Sequence, residues 1–147
     1  MIRTANVNDL SAVQRIADEA FEPFVAAIGK KPAPMVADFT KQLSDSVVFV
    51  AEEEGDLVGY CVSYPKEGGW HVENLAVASS VQGLGIGKRL MADVERRALA
   101  AGHSSVDLYT NIAMTGALAL YDRLGYDEVG RAEEDGFKRV NFKKALK

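Results

Sequence analysis

Residues 77–90 read Val77-Ala78-Ser79-Ser80-Val81-Gln82-Gly83-Leu84-Gly85-Ile86-Gly87-Lys88-Arg89-Leu90. Three glycines within five residues leave the backbone N–H groups uncovered, so a ligand can approach the main chain closely. Apolar residues recur at helical spacing from Ile86 onward, which predicts that the glycines open a helix. The first turn of a helix has unpaired N–H donors and a partial positive charge. The segment therefore predicts a strand, a loop and a helix start that together bind an anion such as phosphate.

Two common phosphate-binding patterns do not fit this loop. A P-loop needs a glycine where this chain has Gln82 and a serine or threonine where it has Arg89. A dinucleotide fingerprint needs Gly-x-Gly-x-x-Gly near the first strand, whereas these glycines alternate and come late in the chain. The structural alternative is a glycine-rich turn that only caps a helix.

Helical and strand patterns alternate on both sides of the loop. The pattern predicts helices over residues 10–20, 21–27, 35–43, 86–101 and 115–124. It predicts strands over residues 2–5, 47–51, 57–64, 70–77, 105–110, 126–131 and 137–142. This order indicates a single α/β domain, 1–147, with a mixed, mostly antiparallel sheet of about six or seven strands and helices on both faces.

Composition narrows the class of protein. The formal net charge is −4 and no basic block is present, which argues against a nucleic-acid partner. No apolar run is long enough to span a bilayer and the first residues do not resemble a secretory signal, so we expect a cytoplasmic protein with no membrane partner. Cys61 is the sole cysteine, which excludes an intrachain disulfide and fits a reducing compartment. With only His71 and His103 beside it, we expect no metal site.

The segment Gln82-Gly83-Leu84-Gly85-Ile86-Gly87 closely resembles the coenzyme-A loop of the GNAT acetyltransferase superfamily, whose pattern is Gln/Arg-x-x-Gly-x-Gly/Ala. Glu73-Asn74-Leu75-Ala76-Val77 resembles the family strand that leads into this loop. Asn111, followed by the segment 117–126, resembles the second family signature. The resemblance covers essentially the whole chain in element order and residues 70–130 in motif detail. It implies a GNAT-like fold in which the two signature strands splay apart and the pantetheine arm of the coenzyme threads the gap.

The resemblance also implies a set of binding residues for acetyl-CoA as co-substrate. The backbone of Leu75 and Val77 would pair with the pantetheine like an added strand. The N–H of Leu75 or Ala76 would polarise the thioester carbonyl, and the Asn111 side chain would hydrogen-bond the coenzyme. The implied loop contacts, mainly backbone N–H groups that hold the pyrophosphate, are Gln82, Gly83, Leu84, Gly85, Ile86, Gly87 and Lys88.

Acetylation of an amine needs a side chain that removes a proton from the amine and one that protonates the leaving thiolate. An amine attacks only when neutral, and deprotonating a lysine-like amine at pH 7 costs roughly 4–5 kcal/mol. The leaving thiolate is much easier to protonate, so the base matters more than the acid. The resemblance implies Glu73 as the base, directly or through water, and Tyr121, one helical turn before Gly125, as the acid. His71 is the rival base, because strand residues two apart share a face. In a purely structural role, Glu73 would be solvated or ion-paired, Tyr121 would be a core tyrosine and His71 an ordinary strand residue.

The acceptor stays open between a small amine, an amino acid, a peptide end and a protein lysine, and another acyl-CoA remains an alternative donor. The resemblance implies an acceptor pocket between residues 21–34 and 133–139. Four apolar residues fit either this pocket or the core: Phe21, Phe24, Met35 and Phe137. Three basic residues could hold a carboxylate: Arg131, Lys138 and Arg139. We expect Tyr109 and Cys61 to be buried in the core.

Three functions remain as candidates at this stage. The leading one is an N-acetyltransferase, because the loop, Glu73 and Tyr121 occur together. The alternatives are a non-catalytic acyl-CoA-binding module, which needs neither side chain, and a nucleotide-binding protein that uses the same loop. A homodimer is expected only by analogy with small members of the family.

Overall fold

A single sheet organises the computed structural model, which describes residues 1–146. Its strands are β1 (Ile2–Thr4), β2 (Val48–Glu53), β3 (Asp56–Lys66), β4 (Gly69–Val77), β5 (Ser105–Asn111), β6 (Asp127–Glu134) and β7 (Phe137–Ala145). Within residues 1–146 these seven strands lie in the order β1-β2-β3-β4-β5-β7-β6. Only the β4–β5 pair among them is parallel. The predicted mixed, mostly antiparallel sheet is confirmed.

Helices cover both faces of the sheet. They are α1 (Leu10–Phe21), α2 (Val25–Ile28), α3 (Phe39–Ser44), α4 (Ile86–Ala100) and α5 (Thr115–Arg123). The apolar side of α1, including Val13 and Ile16, packs against β3 and β4 on one face. The apolar side of α4, including Leu90 and Val94, packs on the other face. Because β3 is covered on both sides, its central residues are buried consecutively rather than alternately. No helix within residues 1–146 is long and apolar enough to cross a membrane.

The predicted helix over residues 35–43 is wrong. The chain forms a 3-10 turn at Ala33–Val36, becomes extended at Ala37 and starts again as α3. The reason is local, because the Asp38 side chain accepts a hydrogen bond from the Lys41 N–H at 3.0 Å and so begins a new helix.

The predicted helix over residues 21–27 is likewise divided. A 3-10 turn that contains Pro23 precedes α2. Other boundaries shift by a few residues, chiefly because β6 and β7 extend to Glu134 and Ala145.

The sheet opens between β4 and β5. The two strands are in register only at Trp70–Val106, His71–Asp107 and Val72–Leu108. Directly after this register, β4 contains a bulge, because Val62 faces Asn74 and Ser63 faces Val72, leaving Glu73 without a partner on β3. The two strands therefore part at Glu73, as the family resemblance implied.

Candidate active site

A cavity of about 340 Å³ lies where β4 and β5 part. Its walls include residues 72–75 of β4, residues 108–111 of β5 and Tyr121 of α5. The 3-10 turn before α3 and the β6–β7 hairpin close it on the other side through Pro34 and Phe137. A concave, mainly apolar site of this volume with a few polar groups is typical of small-molecule binding.

The glycine loop adopts the conformation that its sequence requires. Gly83 and Gly85 have φ values of +84° and +85°, a region that favours glycine over any residue with a side chain. Gly85 is the N-cap of α4. Within residues 1–146, no acceptor is found for the backbone N–H groups of residues 83 and 85–88. These five donors lie at the positive end of a fifteen-residue helix, an arrangement that favours binding of an anion.

Side chains near the loop leave these donors uncovered. Gln82 turns back, with its Nε2 donating to the Val77 carbonyl at 3.4 Å. Arg89 forms an ion pair with Glu53, away from the loop. Lys88 is exposed and is free of ion pairs within residues 1–146, so its charge is available to an anion. At Gly87, an added Cβ would lie 3.3 Å from Leu120 Cδ2, so glycine also allows α4 to start close to α5.

The edge of β4 presents main-chain groups to the cavity. The Ala78 N–H donates to the Val58 carbonyl of β3 at 2.8 Å. Because main-chain groups alternate in direction along a strand, Ala76 also turns toward β3, while Leu75 and Val77 turn toward the gap. Of the two amides considered for polarising a carbonyl, the one of Leu75 therefore faces the cavity and the one of Ala76 pairs within the sheet.

Glu73 lies half-buried on the cavity wall with its carboxylate held from two sides. Tyr64 Oη donates to Glu73 Oε1 at 2.8 Å, and Gln42 Nε2 donates to Glu73 Oε2. Burial, followed by the hydrogen bond to Glu73, raises the pKa of Tyr64, so its phenol remains a donor. The carboxylate is thus fixed in orientation at the point where the strands part.

His71 shares the face of Glu73 but lies behind it. Its Nδ1 is 2.6 Å from Asp107 Oδ1, and its ring centroid is 5.7 Å from that of Tyr64 and 5.8 Å from that of Tyr109. The side chain is buried and does not line the cavity, whereas Glu73 does. The geometry therefore favours Glu73 over His71 for direct contact with a bound amine.

Tyr121 belongs to both the core and the cavity. Its ring packs against Tyr126 and Phe142, with centroids 5.9 and 5.8 Å apart, while the residue also lines the cavity. Burial raises the pKa of Tyr121, so the phenol stays protonated and can donate. Asn111 lines the same cavity; its Oδ1 accepts from the Ala113 N–H at 2.9 Å, which leaves its Nδ2 to face a ligand.

Several residues of the site were not found from the sequence. Gln42 and Tyr64, which hold Glu73, carry no local signal because α3 and β3 approach β4 only in the folded chain. The expectation that Tyr109 is a core residue is wrong, because it is half-buried and lines the cavity beneath the guanidinium of Arg139. Cys61 is fully buried, as expected.

Some of the residues considered for the acceptor pocket line the cavity and others do not. Phe21 and Phe137 line the cavity, whereas Phe24 and Met35 pack against the α1 face of the core. Of the three basic candidates, only Arg139 lines the cavity; Arg131 and Lys138 are exposed and point elsewhere.

Comparisons of the sequence with known proteins agree with one another. The model of the acetyltransferase (GNAT) family matches residues 12–126. The chain is 30% identical over 128 residues to an uncharacterized N-acetyltransferase of Methanocaldococcus jannaschii, covering 86% of this chain and 77% of the relative. It is 33% identical over 125 residues to N-acetyltransferase 8 of Rattus norvegicus, covering 79% of this chain and 56% of the relative.

Among solved structures, the fold is similar to that of the PaiA N-acetyltransferase of Thermoplasma acidophilum in complex with coenzyme A. The TM-score is 0.82, and the match covers 98% of each chain at 15% identity. At that identity the likeness concerns the fold alone.

Proposed function

The chain belongs to the acetyltransferase (GNAT) family and is an acyltransferase, and on that premise we propose that it moves an acetyl group from acetyl-CoA to a primary amine by direct attack in a ternary complex. The observation that carries this proposal is the single gap between β4 and β5. Glu73, Leu75 and Tyr121 line the cavity at that gap. The start of α4 lies beside β4, because an added Cβ at Gly87 would be 3.8 Å from the side chains of both Leu75 and Val77.

The residues present fit a long, phosphorylated and largely extended co-substrate. The N–H groups of residues 83 and 85–88 would hold the pyrophosphate. Leu75 and Val77 would pair with the pantetheine as strands pair with each other, and Asn111 Nδ2 would donate to it. When bound, acetyl-CoA supplies an acyl group activated as a thioester.

Three groups of the chain serve the transfer itself. Glu73 takes the proton that the ammonium must lose, directly or through a water molecule. The Leu75 N–H donates to the oxygen on which negative charge develops. Tyr121 gives its proton to the departing sulfur. Overall one C–N bond forms, one C–S bond breaks, and an ammonium yields an amide, a free thiol and one released proton.

Positioning contributes the largest share of the rate. Holding amine and thioester together removes the entropic cost of their encounter, which is worth up to about 7–11 kcal/mol in well-aligned cases. The presence of Glu73 and Tyr121 on one cavity supports an enzyme over a module that only binds acyl-CoA.

Thermal unfolding with CoA, acetyl-CoA, ATP and NAD side by side tests the binding half of the proposal. CoA and acetyl-CoA should stabilise the protein by about 2.7 kcal/mol at 100 times their Kd, and the two nucleotides should not. Release of free thiol from acetyl-CoA with a panel of amines tests the transfer half. Stabilisation by ATP or NAD alone would contradict the proposal, as would tight CoA binding without transfer to any amine.

A further inference from the structure

Arg139 is fixed on the wall of the cavity. Its side chain is only 15% exposed. The guanidinium carbon lies 4.2 Å from the ring centroid of Tyr109 and 5.8 Å from that of Phe137, and both rings line the cavity. Stacking on aromatic rings holds a planar guanidinium in one orientation. A positive charge is therefore built into this wall instead of extending freely into solvent.

Most hydrogen-bonding capacity of this guanidinium is unused. One N–H donates to Glu134 Oε2 at 2.6 Å, and the Glu134 side chain is 61% exposed. A guanidinium has five N–H donors, and within residues 1–146 the other four of Arg139 have no acceptor. A largely buried guanidinium with a free edge suits the two oxygens of a carboxylate.

Glu73 provides the opposite charge in the same cavity. Tyr109 lies on β5, between the β4 strand of Glu73 and the β7 strand of Arg139. Burial raises the pKa of Tyr109, the charge of Arg139 lowers it, and the charges of Glu73 and Glu134 raise it. Asp38 also borders the cavity, but it is exposed and its carboxylate already caps α3. The cavity thus has one anionic end and one cationic end.

The surface between these ends is apolar. It is formed by Phe21, Pro32, Pro34 and Phe137. A second cation on the acceptor would be repelled by Arg139, whose own counterion Glu134 is mostly exposed to solvent, and the interior of a peptide would bring no carboxylate to it. The complementary acceptor carries an ammonium, a carboxylate and an apolar side chain in a small volume.

Resting on the proposed acetyl transfer, we propose that the acceptor is a free α-amino acid with an apolar side chain, whose carboxylate binds Arg139 and whose amine faces Glu73. Attack by its nitrogen forms the C–N bond as the C–S bond breaks. The products are the N-acetylamino acid, free CoA and one proton.

Three matched acceptors test the role of the carboxylate: L-phenylalanine, L-phenylalaninamide and phenethylamine. For the wild-type protein we expect kcat/KM to be on the order of 10- to 100-fold higher with phenylalanine than with either analogue, because charge-assisted hydrogen bonds to the carboxylate are lost. In Arg139→Met this preference should fall to within about threefold, mainly through a higher KM for phenylalanine. The control Arg131→Met removes an exposed arginine of the neighbouring strand and should keep the preference.

The possible outcomes separate this inference from the proposed function. Equal use of all three acceptors by the wild type, or equal loss of preference in both variants, overturns the inference and leaves acetyl transfer standing. Binding of phenylalanine to CoA-loaded wild type but not to Arg139→Met, without any transfer, supports Arg139 as the carboxylate-binding group but overturns both acetyl transfer and the role of the amino acid as acceptor. If phenylalanine neither binds nor reacts, the inference is overturned. Stabilisation of Arg139→Met by CoA checks that this variant is folded.

Discussion

The ring of Tyr121 is packed in the core, and the residue also lines the cavity, to which we assign its hydroxyl. We expect Tyr121→Phe to lower kcat by about 10- to 100-fold, because a positioned general acid contributes at least that much. The ring and its packing against Tyr126 and Phe142 are kept, so Kd for CoA should change by less than about twofold. Steady-state kinetics and calorimetric titration with CoA measure the two quantities.

Tyr126 offers a matched control for this substitution. Its ring contacts Tyr121, but its hydroxyl donates to Glu95 at 3.0 Å, away from the cavity. Tyr126→Phe should therefore keep kcat, and an equal loss in both variants would remove the catalytic role of Tyr121. Burial raises the pKa of Tyr121 above the ordinary value near 10, so ionisation of this phenol should cause no loss of activity below that pH.

Glu73 is the residue whose charge the proposed reaction needs. Glu73→Gln keeps the size of the side chain and one of the two acceptor oxygens but removes the base. We expect kcat/KM to fall about 100-fold at pH 7 and the deficit to shrink toward pH 10, because more of the acceptor is then already neutral. A pH–rate profile of both proteins measures this trend. Glu133→Gln, at an exposed hairpin position, is the control, and a deficit that stays constant with pH would contradict the role.

The proposed binding of the coenzyme depends on the start of α4. Gly85 has φ +85° with no atom within 4 Å of an added Cβ, so Gly85→Ala introduces backbone strain and no clash. Gly102, after the other end of the same helix, has φ +86° and equally open surroundings. Both alanine variants should lose about 1–2 kcal/mol of unfolding free energy. Urea unfolding measures this loss.

Only the variant at the N-terminal end of the helix should change the affinity for the coenzyme. Gly85→Ala disturbs the row of unpaired amides, so we expect CoA affinity to fall about tenfold or more, whereas Gly102→Ala should retain it. Titration with CoA distinguishes them. Equal CoA affinity in the two variants would mean that these amides do not bind the pyrophosphate.

Elements with a strong local pattern could be predicted from the sequence. The periodicity after Ile86 and the glycines before it define α4 and its start almost to the residue. The pattern Met35, Phe39 and Leu43 was equally regular, yet the chain is extended at Ala37 and restarts at Asp38. A side-chain cap and tertiary packing decided that segment, and the spacing of apolar residues contains neither.

The site likewise contains residues that the sequence indicated and residues that it did not. Glu73, Leu75 and Tyr121 lie in contiguous motifs, so the family resemblance of those motifs indicated where to look. Arg139 reaches the cavity only because β5 pairs with β7 so that Asn111 faces Arg139 and Tyr109 faces Asn141. A register between strands some thirty residues apart is set by the whole sheet, which is why three basic residues remained as alternatives before the structure resolved them.

At the scale of the whole molecule, Cys61 reports on global opening. It is fully buried in β3, and burial raises the pKa of its thiol to about 12. Only about one thiol in ten thousand would be ionised at pH 8, and none is accessible to a reagent without unfolding. We expect labelling by a thiol reagent to be slow in buffer and to accelerate with urea in parallel with the unfolding transition.

Ligand binding should slow this labelling. CoA at 100 times its Kd should reduce the rate about 100-fold, because binding lowers the population of open molecules by that factor. Mass spectrometry of the labelled protein measures the rate. Rapid labelling in buffer, or a rate that CoA does not change, would show that Cys61 is reached through a local opening.

Within residues 1–146, β4 and β5 are in register only at the residue pairs from Trp70–Val106 to Val72–Leu108. Beyond these pairs, the main-chain donors and acceptors of Leu75 and Val77 are spaced as in a strand and face a ligand in the gap. A short peptide held in an extended conformation could satisfy these groups as well as the pantetheine that we propose to bind there. Inhibitors of this enzyme can therefore be designed as peptidomimetics that carry an acidic group toward the start of α4, and they would compete with the nucleotide co-substrate while leaving the acceptor pocket accessible.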